Sequence, residues 1–171
     1  MDGLIPYYVD RARGALAFNA RREAYRNRPA AALYRFSGEA GSYALTLCTM
    51  KETDGESEYT VSINGVEVLK GTNASTSIDY SLHESHAKEN VQLEPGDIIQ
   101  VSSNAVTNGL IPEGNITALS RGRWTELMLI PEQKPLTPKM AADFPAEGPG
   151  LRYSFPPRYS PLGKYPPCRR A

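Results

Sequence analysis

The chain is 171 residues long, with 19 basic and 19 acidic side chains and a formal net charge of zero. That length suits one domain able to bury a core without metal or disulfide scaffolding. No run approaches the ~18 apolar residues of a membrane-spanning helix, so a membrane is not an expected partner.

The neutral total conceals a division. Residues 1–36 carry seven Arg against Asp2, Asp10 and Glu23, a net +4. Residues 37–131 carry five basic residues against thirteen acids, a net −8, and residues 132–171 return to +4. Basic flanks around an acidic middle predict that the flanks lie on an acidic surface, this chain's own or a neighbour's. No nucleic-acid module surrounds these arginines, so nucleic acid is not the expected partner. The opening Met-Asp-Gly-Leu-Ile-Pro lacks the basic and apolar segments of a secretory signal.

In chain order, residues 1–13 read as an irregular arm and Gly14-Ala-Leu-Ala-Phe-Asn19 as an entry strand. Residues 21–32 read as mostly loop, because Pro29 interrupts any helix there. Tyr43, Leu45 and Leu47 alternate with Ala44, Thr46 and Cys48, and Tyr59, Val61 and Ile63 alternate with Thr60, Ser62 and Asn64. Period two marks strands with one buried face, here the face of the larger apolar residues, with Cys48 outward. Asn64-Gly65 predicts a tight hairpin into Val66-Glu-Val68, since both turn positions tolerate positive φ. Val91-Gln-Leu93, the turn Glu94-Pro-Gly-Asp97 and Ile98–Ser103 follow. The last strong strand is 123–130, with Leu127 and Leu129 inward, closed by Pro131. Ten of the 14 prolines lie from Pro131 onward, so residues 132–171 read as an extended tail. The fold class is therefore all-β: a two-sheet antiparallel β-sandwich, jelly-roll-like, over residues 14–131.

Metal and catalytic signals are sparse. Cys48 and Cys168, 120 positions apart, read as a buried thiol and a tail thiol. With only two His and no Cys-x-x-Cys or His-Glu-x-x-His, zinc is not expected. Glu52, Asp54 and Glu56 share parity in an acidic turn and supply the hard oxygen donors that calcium takes; a solvated turn is the competing reading, and no other cofactor is expected. Ser85, His86 and Asp79 include the residue types of a hydrolytic relay, but no Gly-x-Ser-x-Gly elbow accompanies them. The chain is not expected to be an enzyme.

The most particular phrases are Gly41-Ser-Tyr-Ala-Leu-Thr-Leu47, Glu52-Thr-Asp-Gly-Glu-Ser-Glu-Tyr59, Val61-Ser-Ile-Asn-Gly-Val66, Ser103-Asn-Ala-Val-Thr-Asn-Gly-Leu-Ile-Pro-Glu113 and Ser120-Arg-Gly-Arg-Trp124. Together they resemble the galactose-binding-like carbohydrate-binding modules appended to secreted polysaccharide-degrading enzymes, over roughly residues 14–131. The resemblance implies a non-catalytic jelly-roll sandwich that binds polysaccharide or glycan, displayed outside the cell or on a particle surface. Asn104, Asn108, Glu113, Arg121, Arg123 and Trp124 are the amide, carboxylate, guanidinium and aromatic groups that sugar binding needs. Arginine would also pair bidentately with a carboxylated or sulfated glycan. Arg121 and Arg123 share one face of an extended segment and Trp124 faces the other, so the three meet one ligand only if Gly122 bends the chain. Trp124, the only Trp, also reads as a core anchor. The competing function is a structural or decoration subunit of a large assembly, such as a virus or phage particle, attached to protein neighbours through residues 1–36 and 132–171. Tyr153, Phe155, Tyr159 and Tyr165, interleaved with Arg and Pro, are interface-anchor material.

Overall fold

The structure is a computed structural model that describes residues 3–80 and 83–132; the expected tail and Cys168 lie outside the described residues. In chain order the strands are β1 (Ile5–Pro6), β2 (Tyr8–Asp10), β3 (Ala15–Ala17), β4 (Ala30–Arg35), β5 (Gly41–Met50) and β6 (Glu58–Ile63). There follow β7 (Val66–Thr72), β8 (His83–Leu93), β9 (Ile98–Ser103), β10 (Pro112–Glu113), β11 (Ile116–Thr117) and β12 (Trp124–Pro131). One sheet is ordered β1-β4-β9-β6-β7 and the second β2-β3-β12-β5-β8, with β10-β11 a separate ribbon. Among the described residues, every strand pairing is antiparallel except β1 on β4. The two-sheet all-β class read from the alternation is the architecture found.

The core fills the space between the sheets. Tyr43, Leu45 and Leu47 of β5 meet Tyr59, Val61 and Ile63 of β6, with Val91, Leu93, Ile99 and Val101 completing the cluster. Leu127 and Leu129 of β12 pack against it. Each fully buried Leu or Val contributes ~1.5–3 kcal/mol relative to exposure, so the strands' alternation is the main force holding the layers together. Asn64 (φ 51°) and Gly65 (φ 84°) both take the left-handed conformation that the β6–β7 hairpin requires. The Asn64 amide then donates to Asp97 (2.8 Å), and its oxygen accepts from the Ile98 N–H (2.9 Å), tying this hairpin to the start of β9.

Three regions differ from the sequence reading. Residues 5–10, expected in an outlying arm, supply β1 and β2, because Ile5 has an apolar niche with Phe18, Ala20 and Ala30 in a second small core. The expected loop over 21–32 holds one short 3-10 turn (Glu23–Tyr25), and β4 starts directly after Pro29, whose carbonyl accepts the Ile5 N–H at 3.0 Å. Cys48 stands on the β5 face opposite Leu45 and Leu47 and is fully buried there, but it is disulfide-bonded rather than a free thiol. Its neighbours on the same side of β5, Thr46 and Met50, are buried too, so this central strand is covered on both faces.

Candidate functional site

The site begins at a bend. Gly122 (φ 48°) adopts a left-handed conformation just before β12, and a Cβ there would collide with the Ser103 side chain. The bend presents the backbone donors on either side of Gly122 to one carboxylate. The Arg121 N–H donates to both Glu52 oxygens at 3.0 Å, and the Arg123 N–H donates to one of them at 3.3 Å.

The Arg123 side chain then turns inward. Its Nε donates to Asp10 (2.9 Å) and its other end pairs with the Glu52 carboxylate, while Arg13 also pairs with Asp10 at 3.1 Å. The Tyr80 ring receives two guanidinium groups, Arg13 at 3.9 Å from the centroid and Arg123 at 4.8 Å. Arg123, Glu52 and Asp10 are all buried. Desolvation pushes the Glu52 carboxyl up to about 7, outweighing the attraction of Arg123 and the backbone donors. Desolvation also acts on Asp10, but hydrogen bonding and charge from Arg123, joined by Arg13, hold it below its usual range. Burial raises Asp54 as well.

Two adjoining clefts lie beside this network. The larger, about 530 Å³, is lined by Tyr8, Arg11, Arg13, Arg21, Tyr80, Arg121 and Arg123, with Asp10 its single acid. The smaller, about 320 Å³, is lined by Arg26, Glu113 and Leu119, and again by Arg21 and Arg121. Arg21 and Arg121 are thus common to both. Among the described residues, no hydrogen bond or ion pair engages the guanidinium of Arg11, Arg21 or Arg121. A concave surface with several uncommitted cations and the Tyr8 ring can hold an anionic group bidentately while stacking an apolar face.

The sequence-predicted residues divide. Arg121 and Glu113 line the clefts. Arg123 stands at the back of the larger one as a buried strut. Trp124 faces the space between the sheets and makes an edge-on contact with Tyr7 at 5.9 Å. Asn108 uses its amide on the Thr53 carbonyl and accepts from the Leu110 N–H, both at 3.0 Å, closing its own loop. Asn104 is exposed and lines neither cleft. Of the three carboxylates read as calcium donors, Glu52 is turned into the Arg123 pair while Asp54 and Glu56 are not hydrogen-bonded to it, and no group of three ligating side chains converges among the described residues. Asp79 accepts from the Thr53 N–H at 2.9 Å, whereas His86 lies 3.1 Å from the Asn73 oxygen and stacks near Tyr59, so these two members of the considered relay serve different neighbours.

Sequence reading missed Arg11, Arg21, Tyr8 and Tyr80 as cleft residues. The signal was present in the +4 of residues 1–36, which the structure folds onto the 120–123 segment. The chain matches no family model, and no curated protein is detectably similar to it.

Proposed function

We propose that this chain is a non-catalytic carbohydrate-binding module of the galactose-binding-like kind, and that its arginine-lined cleft takes a carboxylated or sulfated glycan. The observation that carries this reading is the trio Arg11, Arg21 and Arg121, uncommitted cations set around a concave surface with Tyr8 and Tyr80. A fold-stabilising arginine is given a carboxylate partner, as Arg123 is. Cations left without one are available to a ligand's anions, and a pyranose ring adds the apolar face that a Tyr accepts. The phrases at 103–113 and 120–124 support the carbohydrate class, since Glu113 and Arg121 come from them.

The test is direct binding of the full chain to polygalacturonate and chondroitin sulfate, beside neutral galactan and single-stranded DNA as a sugar-free polyanion. Binding to the anionic glycans over both controls is the expected result. Equal binding to DNA would reduce the cleft to a general polyanion patch, and binding to galactan alone would remove the arginines from recognition.

A second reading, a decoration or structural subunit of an assembly, is favoured by exposed Leu110, Ile111 and Ile116 around the β10–β11 ribbon, beside the smaller cleft. Sedimentation of the full chain across a concentration series separates it from a monomeric binding module.

A further inference from the structure

The side of the sandwich between β4 and β12 is open. Among the described residues, β12 pairs with β5 along 124–131 but with β3 only at Trp124, leaving the other edge of 125–131 without a strand. Opposite it, β4 pairs with β1 only at Ala30 and Ala31, leaving 32–35 unpaired on that side among the described residues. Between these two free edges lies an apolar slot of about 710 Å³, reaching Phe36, Tyr43, Trp124, Leu127, Leu129 and Pro131. Register places Tyr34 on the inner face, opposite buried Ile99, yet Tyr34 is 51% exposed. Leu127 and Leu129, opposite fully buried Leu47 and Leu45, are themselves only half-buried. Inner-face side chains left this open, beside unpaired backbone donors and acceptors, are what a sheet lacking one strand presents.

We infer that the occupant is residues 151–155 of the same chain, added antiparallel to the free edge of β12. The sequence Leu151-Arg-Tyr-Ser-Phe155 alternates apolar and polar residues, bounded by Gly148-Pro-Gly150 and Pro156-Pro157. Leu151, Tyr153 and Phe155 face the slot, and Arg152 and Ser154 face outward beside Glu126. The reach is ample. β12 ends at the slot's rim, since Pro131 lines it. The 18 residues from 133 to 150 extend to about 60 Å, against about 26 Å needed to return along an eight-residue strand. Such a tether gives a millimolar effective concentration that favours the chain's own segment over another copy's.

The experiment uses the full chain with Tyr153→Asp, Phe155→Asp and the outward control Ser154→Asp. Amide hydrogen exchange along 125–131 and acrylamide quenching of Trp124, the only Trp, are the readouts. Tyr153→Asp and Phe155→Asp are expected to lower protection at 125–131 by about tenfold or more and to increase quenching, while β5 and β6 amides stay protected and Ser154→Asp matches wild type. Unchanged protection in both inward variants overturns the inference. So does wild-type protection that grows with protein concentration, which would assign the strand to a second copy.

Discussion

Arg121 and Arg123 are two residues apart and donate their backbone N–H groups to the same carboxylate, yet their side chains end in opposite circumstances. Arg123 is buried between Glu52 and Asp10; Arg121 is half-exposed and has no carboxylate partner among the described residues. Both side chains line the larger cleft; the difference is that Asp10 and Glu52 reach the Arg123 guanidinium, while among the described residues no carboxylate reaches that of Arg121. What decides whether an arginine is structural or available to a ligand is the fate of its counter-charge, which residue type alone does not reveal.

The largest expected effect is Arg123→Ala. It leaves Glu52 buried without its cation and Asp10 with Arg13 alone, and should cost about 3–5 kcal/mol, read as a fall in chemical-denaturation midpoint. Leu47→Ala, from the fully buried core, should cost ~2–5 kcal/mol through lost transfer energy and a residual cavity. If Arg123→Ala is as mild as a surface substitution, the strut assignment fails. Gly122→Ala comes next, at about 1–3 kcal/mol, since a Cβ meets Ser103 and the backbone is left-handed. Pairing it with Ser103→Gly, which removes both the Oγ and the Cβ that the new methyl meets, separates collision from backbone strain: recovery of the Gly122→Ala increment in the double variant identifies the collision.

pH sharpens the same comparison, because the two carboxylates around Arg123 have opposite signs. Asp10 lies below its ordinary 3.8, so its contribution is present above that value and is lost as pH falls through the folded value. Glu52 is raised from 4.5 to about 7, so its contribution is full below 4.5 and is lost as pH rises through about 7. The network should therefore support the fold best in mildly acid solution. Glu52→Gln should flatten the alkaline side of the stability profile and leave the acid side intact; a Gln variant with the wild-type slope between pH 5 and 8 would exclude Glu52 as its source. The smallest effect on folding belongs to Arg121→Ala, expected within ±0.5 kcal/mol, although it should weaken binding of an anionic glycan.

The strands with strict alternation were legible because period two is local: Tyr43, Leu45 and Leu47, and Tyr59, Val61 and Ile63, occupy the core face they predict. The Asn64-Gly65 hairpin was equally local. β4 was not legible, since Ala30-Ala-Ala-Leu-Tyr-Arg35 has no alternation and becomes a strand by pairing with β9. β1 and β2 are two and three residues long, too short for any period, and exist through β4 and β3. The candidate site suffered from the same limit. Arg121 and Glu113 could be nominated from their own segment, but their companions Arg11 and Arg21 come from a stretch about a hundred positions away that only the fold delivers. Arg123 looked identical to Arg121 until Asp10 was seen to reach it.

The most direct measurement is a calorimetric titration of the full chain with a sulfated or carboxylated oligosaccharide, comparing wild type with Arg21→Ala, Arg121→Ala and the double variant. Each single variant removes one cation shared by the two clefts. The expected result is a loss of about 1–3 kcal/mol of binding energy per variant, a shallower salt dependence in the double variant, and unchanged melting temperatures. Wild-type affinity and salt dependence in the double variant would contradict the assignment of this cleft as the glycan site.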